Sequence, residues 1–386
     1  MGVLCPLGRS CADGRQVKKL KKATIDEVAA LAGVAPSSVS RILRGVGNFA
    51  PSTVERVRKA AEQLDYSASP SAHRLATGRT GTVAIVMPYV TRWFFAEVLG
   101  GVEQVVRQAD LDLLLYHVSD VEMRRNYFSS GILTKRVDGV ILVTLALTEA
   151  EVRSLHDLEV PVCTLGSRVP GFSSLAVDDA EAAASAVRHL SNLGHTRIGM
   201  IAGDTQEPHR FTTELKRRAG YRQALEAAGL RFQRDLVAHG PYTVEGGHQA
   251  MTQLMSSKVP PTAVFAECDE MAFGALRALQ QTGLSVPGDL SLVGFDDHPM
   301  ARYFDLTTVA QEVRRQGEQV AKHLVSLING EGRTAHVLVP TRLVLRGSTS
   351  QHHIAGLGKA RGELRGSRNR LHAPSADRGA RRPAAR

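Results

Sequence analysis

Cysteine is scarce in this chain of 386 residues: Cys5, Cys11, Cys163 and Cys268 are the only four. They are scattered and lack the short paired spacings of a zinc site or a disulfide framework. That scatter suits a reducing cytoplasm and predicts no metal centre. Apolar runs are short as well, and none approaches the roughly 20 residues that cross a membrane. The opening stretch, MGVLCPLGRSCADGRQVKKLKK, has no apolar core of the kind a secretion signal needs, so export is not expected. There is no phosphate-cradling GxxxxGK loop and no GxSxG nucleophile elbow. His195, His209 and His298 lack zinc-ligand spacing, and His195, in the LGHTR turn, reads as structural. No internal repeat is apparent. Neither enzyme chemistry nor a cofactor is expected.

The net charge of +10 is unevenly placed. Residues 1–22 hold six Lys/Arg against one acid, and residues 351–386 hold nine against two. Residues 81–350 are mildly acidic, 26 against 30. Both basic ends lack apolar periodicity, which predicts disorder. Such arms can add salt-sensitive, sequence-independent affinity for DNA, or serve only as solvated extensions. The length allows two or three domains with a sizeable core.

Residues 23–45 read ATIDEVAALAGVAPSSVSRILRG. Thr24 can cap a first helix, with Glu27 closing a capping box three residues on. Ile25, Val28 and Leu31 are predicted to share its inner face. Gly33 can take the left-handed conformation that ends a helix, and Pro36 suits the first turn of the next. Val39, Ile42 and Leu43 then face inward, and Ser37, Ser38, Ser40 and Arg41 outward. Two short helices about a tight turn are how a helix-turn-helix offers a recognition helix to the major groove of double-stranded DNA. Arginine can bond a guanine edge bidentately, and serine can serve bases or phosphates. A plain helical hairpin with a solvated outer face has the same pattern. A third helix is predicted over 51–64, with Val54, Val57, Ala61 and Leu64 on one side.

Residues 66–78, YSASPSAHRLATG, hold a short helix signal: Ser69 as cap, Pro70 in the first turn, Gly78 as stop. Two turns are not stable alone in water. A small helix with a protruding Leu75 can act as a minor-groove wedge; a simple linker is the other reading.

From residue 80 onward, short apolar runs alternate with amphipathic stretches. The runs at 83–87, 140–143, 160–165, 198–202, 263–266 and 290–294 have the character of buried parallel strands. Helices are predicted over 96–108, 180–193, 216–228 and 245–255. Repeated β-α-β units imply doubly wound sheets with ligands at the carboxyl ends of the strands. Roughly 270 residues of this exceed one typical core, so two subdomains with a cleft between them are expected.

The motifs TIDEVAALAGV…SSVSRILRG, LDY and LATGRTGTVAIV, in that order and spacing, resemble the DNA-binding end of LacI/GalR (lactose-repressor) family transcription regulators. FFAEVLGGVEQV, VDGVIL, HLSNLGHTRIGMIAG, RRAGYRQALEAAGL, PTAVFAECDEMAFGALRAL and VPGDLSLVGFDDHP extend the likeness over nearly all of 23–350. The resemblance implies an N-terminal all-α helix-turn-helix domain (23–68), a hinge helix and linker (69–80) and a core (81–350). That core would be α/β, of the type I periplasmic-binding-protein kind, with two doubly wound subdomains. One subdomain would take about 81–177 and 310–337, the other about 178–309 and 338–350, with a last strand at 338–346. It also implies a homodimeric repressor of operator DNA, controlled by a small sugar-like effector held between the subdomains. Thr24, Pro36, Ser37, Ser38, Ser40 and Arg41 would be the DNA-binding residues, with Leu75 intercalating. Phe94, Phe95, Ser167, Arg217, Asp269 and Asp296 would bind the effector.

Several positions depart from the family pattern. Pro36 has no donor for base reading and offers apolar contact only. Ala35 and Ala50 stand where capping serines are usual, each at a cost of about 1 kcal/mol. Arg92 and Trp93 replace a usual asparagine and proline, and Ser167 a common aspartate. With Arg168 and Arg217 nearby, Arg92 would favour a sugar acid or another anionic metabolite. The segment YFDLTTV (303–309) is shorter than usual, which predicts a shortened crossover. Two regulator readings stay open beside a ligand-released repressor: one needing a corepressor, and one independent of ligand. A free solute-binding protein would lack the DNA-binding head.

Overall fold

Thr24 opens the first helix as its spacing predicts. Its amide donates to Glu27 Oε2 at 2.8 Å, and its Oγ1 accepts the Glu27 amide at 3.3 Å. Gly33, at φ +65°, ends that helix in the left-handed conformation. In this computed structural model the described residues are 23–43, 47–66, 79–129, 131–204 and 212–352. The chain divides into two units, Met1–Thr80 and Gly81–Arg386. Leu75, most of the expected hinge at 69–80, residues 1–22 and residues 353–386 lie outside the described residues.

The first unit holds α1 (Ile25–Ala32), α2 (Pro36–Leu43) and α3 (Pro51–Gln63). Val28, Ala29, Ala32, Val39, Ile42, Val57 and Ala60 form its core. Leu31 is not part of it: 53% of its surface is exposed. The inner face of α1 centres between Val28, Ala29 and Ala32, and at 3.6 residues per turn Leu31 falls about 100° away. Ala50 gives α3 no side-chain cap, and Pro51 starts the helix instead.

The second unit is built on two sheets. The first contains β1 (Thr82–Met87), β2 (Asp112–His117), β3 (Gly139–Val143), β4 (Val162–Leu165), β5 (Ser173–Val177) and β11 (His336–Val339). The second contains β6 (Ile198–Gly203), β7 (Val237–Gly240), β8 (Ala263–Ala266), β9 (Ser291–Asp296), β10 (Thr307–Ala310) and β12 (Arg342–Val344). Read across the first sheet, the order β2-β1-β3-β4-β5 matches β7-β6-β8-β9-β10 in the second. All pairings are parallel except β10 with β12. Helices cover the faces: α4 (Trp93–Gln108), α5 (Val121–Ser129), α6 (Glu149–His156) and α11 (Val313–Ile328) in the first lobe. The second lobe carries α7 (Asp179–Asn192), α8 (Thr212–Ala227), α9 (Val244–Met255) and α10 (Asp269–Gln281). Because both faces are covered, β1, β3, β4, β6, β8 and β9 are buried at every position.

The chain passes between lobes after β5, after β10 and after β11. The last passage corrects the expected boundary. Val337, Leu338 and Val339 pair with β5 in the first sheet, so the expected strand at 338–346 is two strands in two sheets, broken at Pro340. The segment 303–309 is no crossover either: it runs into β10 beside β9, and the passage falls at Gln311 and Glu312.

Candidate functional site

On the first unit, Pro36, Ser37 and Arg41 are exposed on α2, whereas Ser38 and Ser40 are half-buried. The expected outward row is therefore narrower than the sequence suggests. The Arg41 guanidinium carbon lies 5.4 Å from the centre of the Phe49 ring. Thr24 is exposed while capping α1.

On the second unit, a pocket open to solvent, with about 540 Å³ of empty space including its mouth, lies between the lobes. Its wall is made from the carboxyl ends of the strands, as doubly wound sheets dictate. Arg92, Phe94 and Phe95 follow β1, and Thr144 follows β3. Tyr242 follows β7, Cys268 and Glu270 follow β8, Asp296 ends β9, and Gln311 follows β10. Thr213 and Arg217 come from α8. Phe94 and Phe95 meet edge to face at 5.3 Å and give an apolar wall.

Arg217 is placed by close helix packing. At Gly220, one turn on, a Cβ would overlap the Ala180 carbonyl of α7. Glycine lets α8 lie against α7, and Arg217 Nε reaches Asp179 Oδ1 at 2.9 Å. Its Nη1 donates to the Glu267 carbonyl, and its guanidinium carbon sits 3.6 Å from the Phe295 ring centre. Asp296 accepts from the Gln311 side-chain amide. Burial pushes the Asp296 carboxyl up to about 7, against the pull of Arg217 and Gln311. Behind the wall, Glu267 Oε2 accepts the Tyr242 hydroxyl at 2.6 Å and the Gly203 amide at 2.8 Å. Burial brings Glu267 up to about 7 as well, partly offset by Tyr242, Arg217 and Gly203. Thr144 adopts φ +53°, a strained value for a β-branched residue, and its buried Oγ1 has no hydrogen-bond partner. Strain of this kind gathers at ligand sites.

Of the six effector residues expected from sequence, Phe94, Phe95, Arg217 and Asp296 meet in this wall. Ser167 and Asp269 do not. The Ser167 hydroxyl donates to the Leu145 carbonyl at 3.2 Å. Asp269 Oδ1 accepts the Thr308 hydroxyl at 2.7 Å, and its Oδ2 accepts the His298 amide at 2.8 Å. Ser167 thus ties the loops after β3 and β4 within the first lobe, and Asp269 ties α10 to β10 and to the segment after β9 within the second. Of the three arginines expected near the effector, Arg92 and Arg217 line the pocket and Arg168 is exposed outside it; Arg217 is paired with Asp179, and the Arg92 guanidinium carbon lies 3.4 Å from the Tyr89 ring centre. Burial raises the Glu270 carboxyl above its ordinary range, partly offset by the positive charge of Arg92. Thr144, Thr213, Tyr242, Cys268, Glu270 and Gln311 escaped the residue-by-residue reading. Several directly follow a strand, and strand ends were the signal available. His195 is structural, with Nδ1 3.0 Å from Thr262 Oγ1 and Nε2 2.9 Å from Ser291 Oγ.

A helix-turn-helix head joined to a two-lobed core with a pocket at its strand ends defines a ligand-responsive transcription regulator. The family described as "Bacterial regulatory proteins, lacI family" matches residues 24–69, and "Periplasmic binding protein-like domain" matches residues 187–349. Catabolite control protein A of Priestia megaterium is 31% identical over 331 residues, covering 84% of this chain and 99% of that protein. The lac repressor dimer bound to operator and the anti-inducer ONPF superposes with a TM-score of 0.77 at 26% identity, covering 86% of this chain and 100% of that one. The transcriptional regulator CelR–cellobiose complex gives 0.63 at 31%, covering 84% and 99%. The chain belongs to the LacI family: it is a DNA-binding transcriptional regulator and not an enzyme. Among the described residues, no helix is long and apolar enough to cross a membrane.

Proposed function

We propose that this chain is a cytoplasmic, homodimeric repressor whose operator affinity is set by a neutral sugar-like effector bound between the lobes. The observation that carries this reading is the pocket itself, where both sheets direct their strand ends at one apolar-and-polar wall. Pro36, Ser37 and Arg41 read the operator. Phe94 and Tyr242 supply ring faces, and Asp296, Gln311 and Thr144 supply hydrogen bonds to hydroxyls. What favours a neutral polyol over a sugar acid is that the buried Arg217 is already paired with Asp179 and Arg92 rests on the Tyr89 ring. Operator and effector must influence each other's affinity by the same factor. A thermal-shift screen of the full chain against sugars, sugar acids and nucleobases tests the effector. Operator binding with and without the hit then gives the sense of the coupling. Sugar acids that raise the melting temperature while neutral sugars do not would overturn the neutral reading.

A further inference from the structure

We propose that Trp93 and His298 are positioning residues for effector capture, forming a contact between the lobes that holds the pocket closed. Trp93 is the first residue of α4 in the first lobe and packs against that lobe's core. His298 follows β9 in the second lobe. Their ring centres are 4.6 Å apart at an interplanar angle of 51°, within the range of favourable aromatic contact.

Each partner is held on its own side. The His298 amide donates to Asp269 Oδ2 at 2.8 Å, and His298 Nδ1 accepts the Met300 amide at 2.9 Å. An accepting Nδ1 leaves the proton of the neutral ring on Nε2. Asp269 is itself tied to β10 through the Thr308 hydroxyl. The edge of Phe273 meets the imidazole at 5.4 Å. Asp269, expected from sequence to touch the effector, instead presents His298 to Trp93.

The contact is coupled to the pocket by the chain. Arg92 and Phe94, on either side of Trp93, both line the pocket, as does Asp296, two residues before His298. Parting the lobes parts the stack, and a lost stack lets the lobes part. If the closed form captures the effector, apparent affinity scales with the fraction of molecules that are closed. Removing the stack lowers that fraction.

The inference rests on the interlobe pocket being the effector site, and its test uses the ligand-free full chain so that the two can fail separately. Trp93 is the single tryptophan of the sequence, so emission reports it alone. His298→Ala should red-shift that emission and increase quenching by acrylamide. Hydrogen exchange followed by mass spectrometry should then speed up roughly two- to tenfold in peptides carrying Thr144 and Tyr242, which lie outside the stack. Trp93→Ala should do the same, and Trp93→Phe, which keeps a ring, should restore slow exchange. Circular dichroism identifies any variant that fails to fold, and the other then carries the test. Exchange changes confined to the start of α4 and residues 297–301 would make the stack local packing and overturn the proposal. So would wild-type emission typical of a fully solvated indole. A sugar screen without hits would count against the effector site while leaving the exchange result intact.

Discussion

Arg217 and Asp179 form an ion pair at 2.9 Å with both side chains at least nine-tenths buried. The pair joins α8 to the start of α7 and orients a guanidinium at the pocket wall. Its net worth relative to an apolar pair is small, but breaking it strands a charge. Asp179→Asn should therefore lower unfolding free energy by about 3–5 kcal/mol, read from urea unfolding followed by circular dichroism. A change within about 0.5 kcal/mol, as for an exposed site, would contradict this account.

The carboxyls of Asp296 and Glu267 predict an unusual pH dependence. Burial holds each at about 7, against about 4 in an unfolded chain. Between those values the folded protein binds more protons than the unfolded one. Stability therefore falls as pH rises through the window, by up to ~1.4 kcal/mol per pH unit for each group. His189, His195 and His298 oppose this, because burial lowers their pKa values. They withdraw stability as pH falls below about 6.5. The difference between variant and wild type isolates the acids. Asp296→Asn and Glu267→Gln should each gain about 1 kcal/mol or more relative to wild type between pH 5.5 and 7.5. Parallel unfolding curves would show that the carboxyls do not titrate there.

The sequence revealed the parts of the fold that local chemistry dictates. Thr24, Glu27 and Gly33 carry the geometry of α1 within ten residues, and runs such as 198–202 and 263–266 are apolar because helices cover both faces. β2 was invisible because it lies at an edge of the sheet: its side chains are exposed or half-exposed throughout, and DLLLYH does not alternate. β11 and β12 were merged because nothing in HVLVPTRLV says that the two halves pair in different sheets. The shared strand order of the two lobes also leaves no repeat in the residues, since topology depends on pairing and crossover handedness. In the pocket, Phe94, Phe95, Arg217 and Asp296 were legible through the family resemblance, because each opens or lies within one of the motifs that carry it. Asp269 was misread for a physical reason: a carboxylate at a strand end can aim at ligand or at backbone, and only the neighbouring Thr308 and His298 decide. Thr144 and Tyr242 matter through backbone strain and a hydroxyl partner distant in sequence, which single-residue reading does not capture.

Asp296 offers the clearest test of effector recognition. An acceptor on a ligand hydroxyl contributes about 1.5–3 kcal/mol when charged. Asp296→Ala should weaken the effector found in the screen by roughly ten- to a hundredfold. Operator binding without effector should stay near wild type. Calorimetry measures the first and fluorescence anisotropy the second. Unchanged effector affinity would place the ligand elsewhere in the cleft.

Arg41 is the only long cationic side chain among the exposed reading residues of α2, beside a proline that cannot donate and Ser37. Phe49 lies under its guanidinium, which restricts the side chain before DNA arrives. Arg41→Ala should cost about 1–3 kcal/mol on the specific operator if it forks onto a guanine edge. It should leave most of the salt-dependent affinity for scrambled duplex in place. Phe49→Ala should produce a smaller loss in the same direction, because it frees the side chain without removing the contact. Anisotropy titrations on operator and scrambled DNA at several salt concentrations separate these outcomes. Equal losses on both duplexes would show that Arg41 contacts phosphate and leave sequence reading to Pro36, Ser37 and the shape of the DNA.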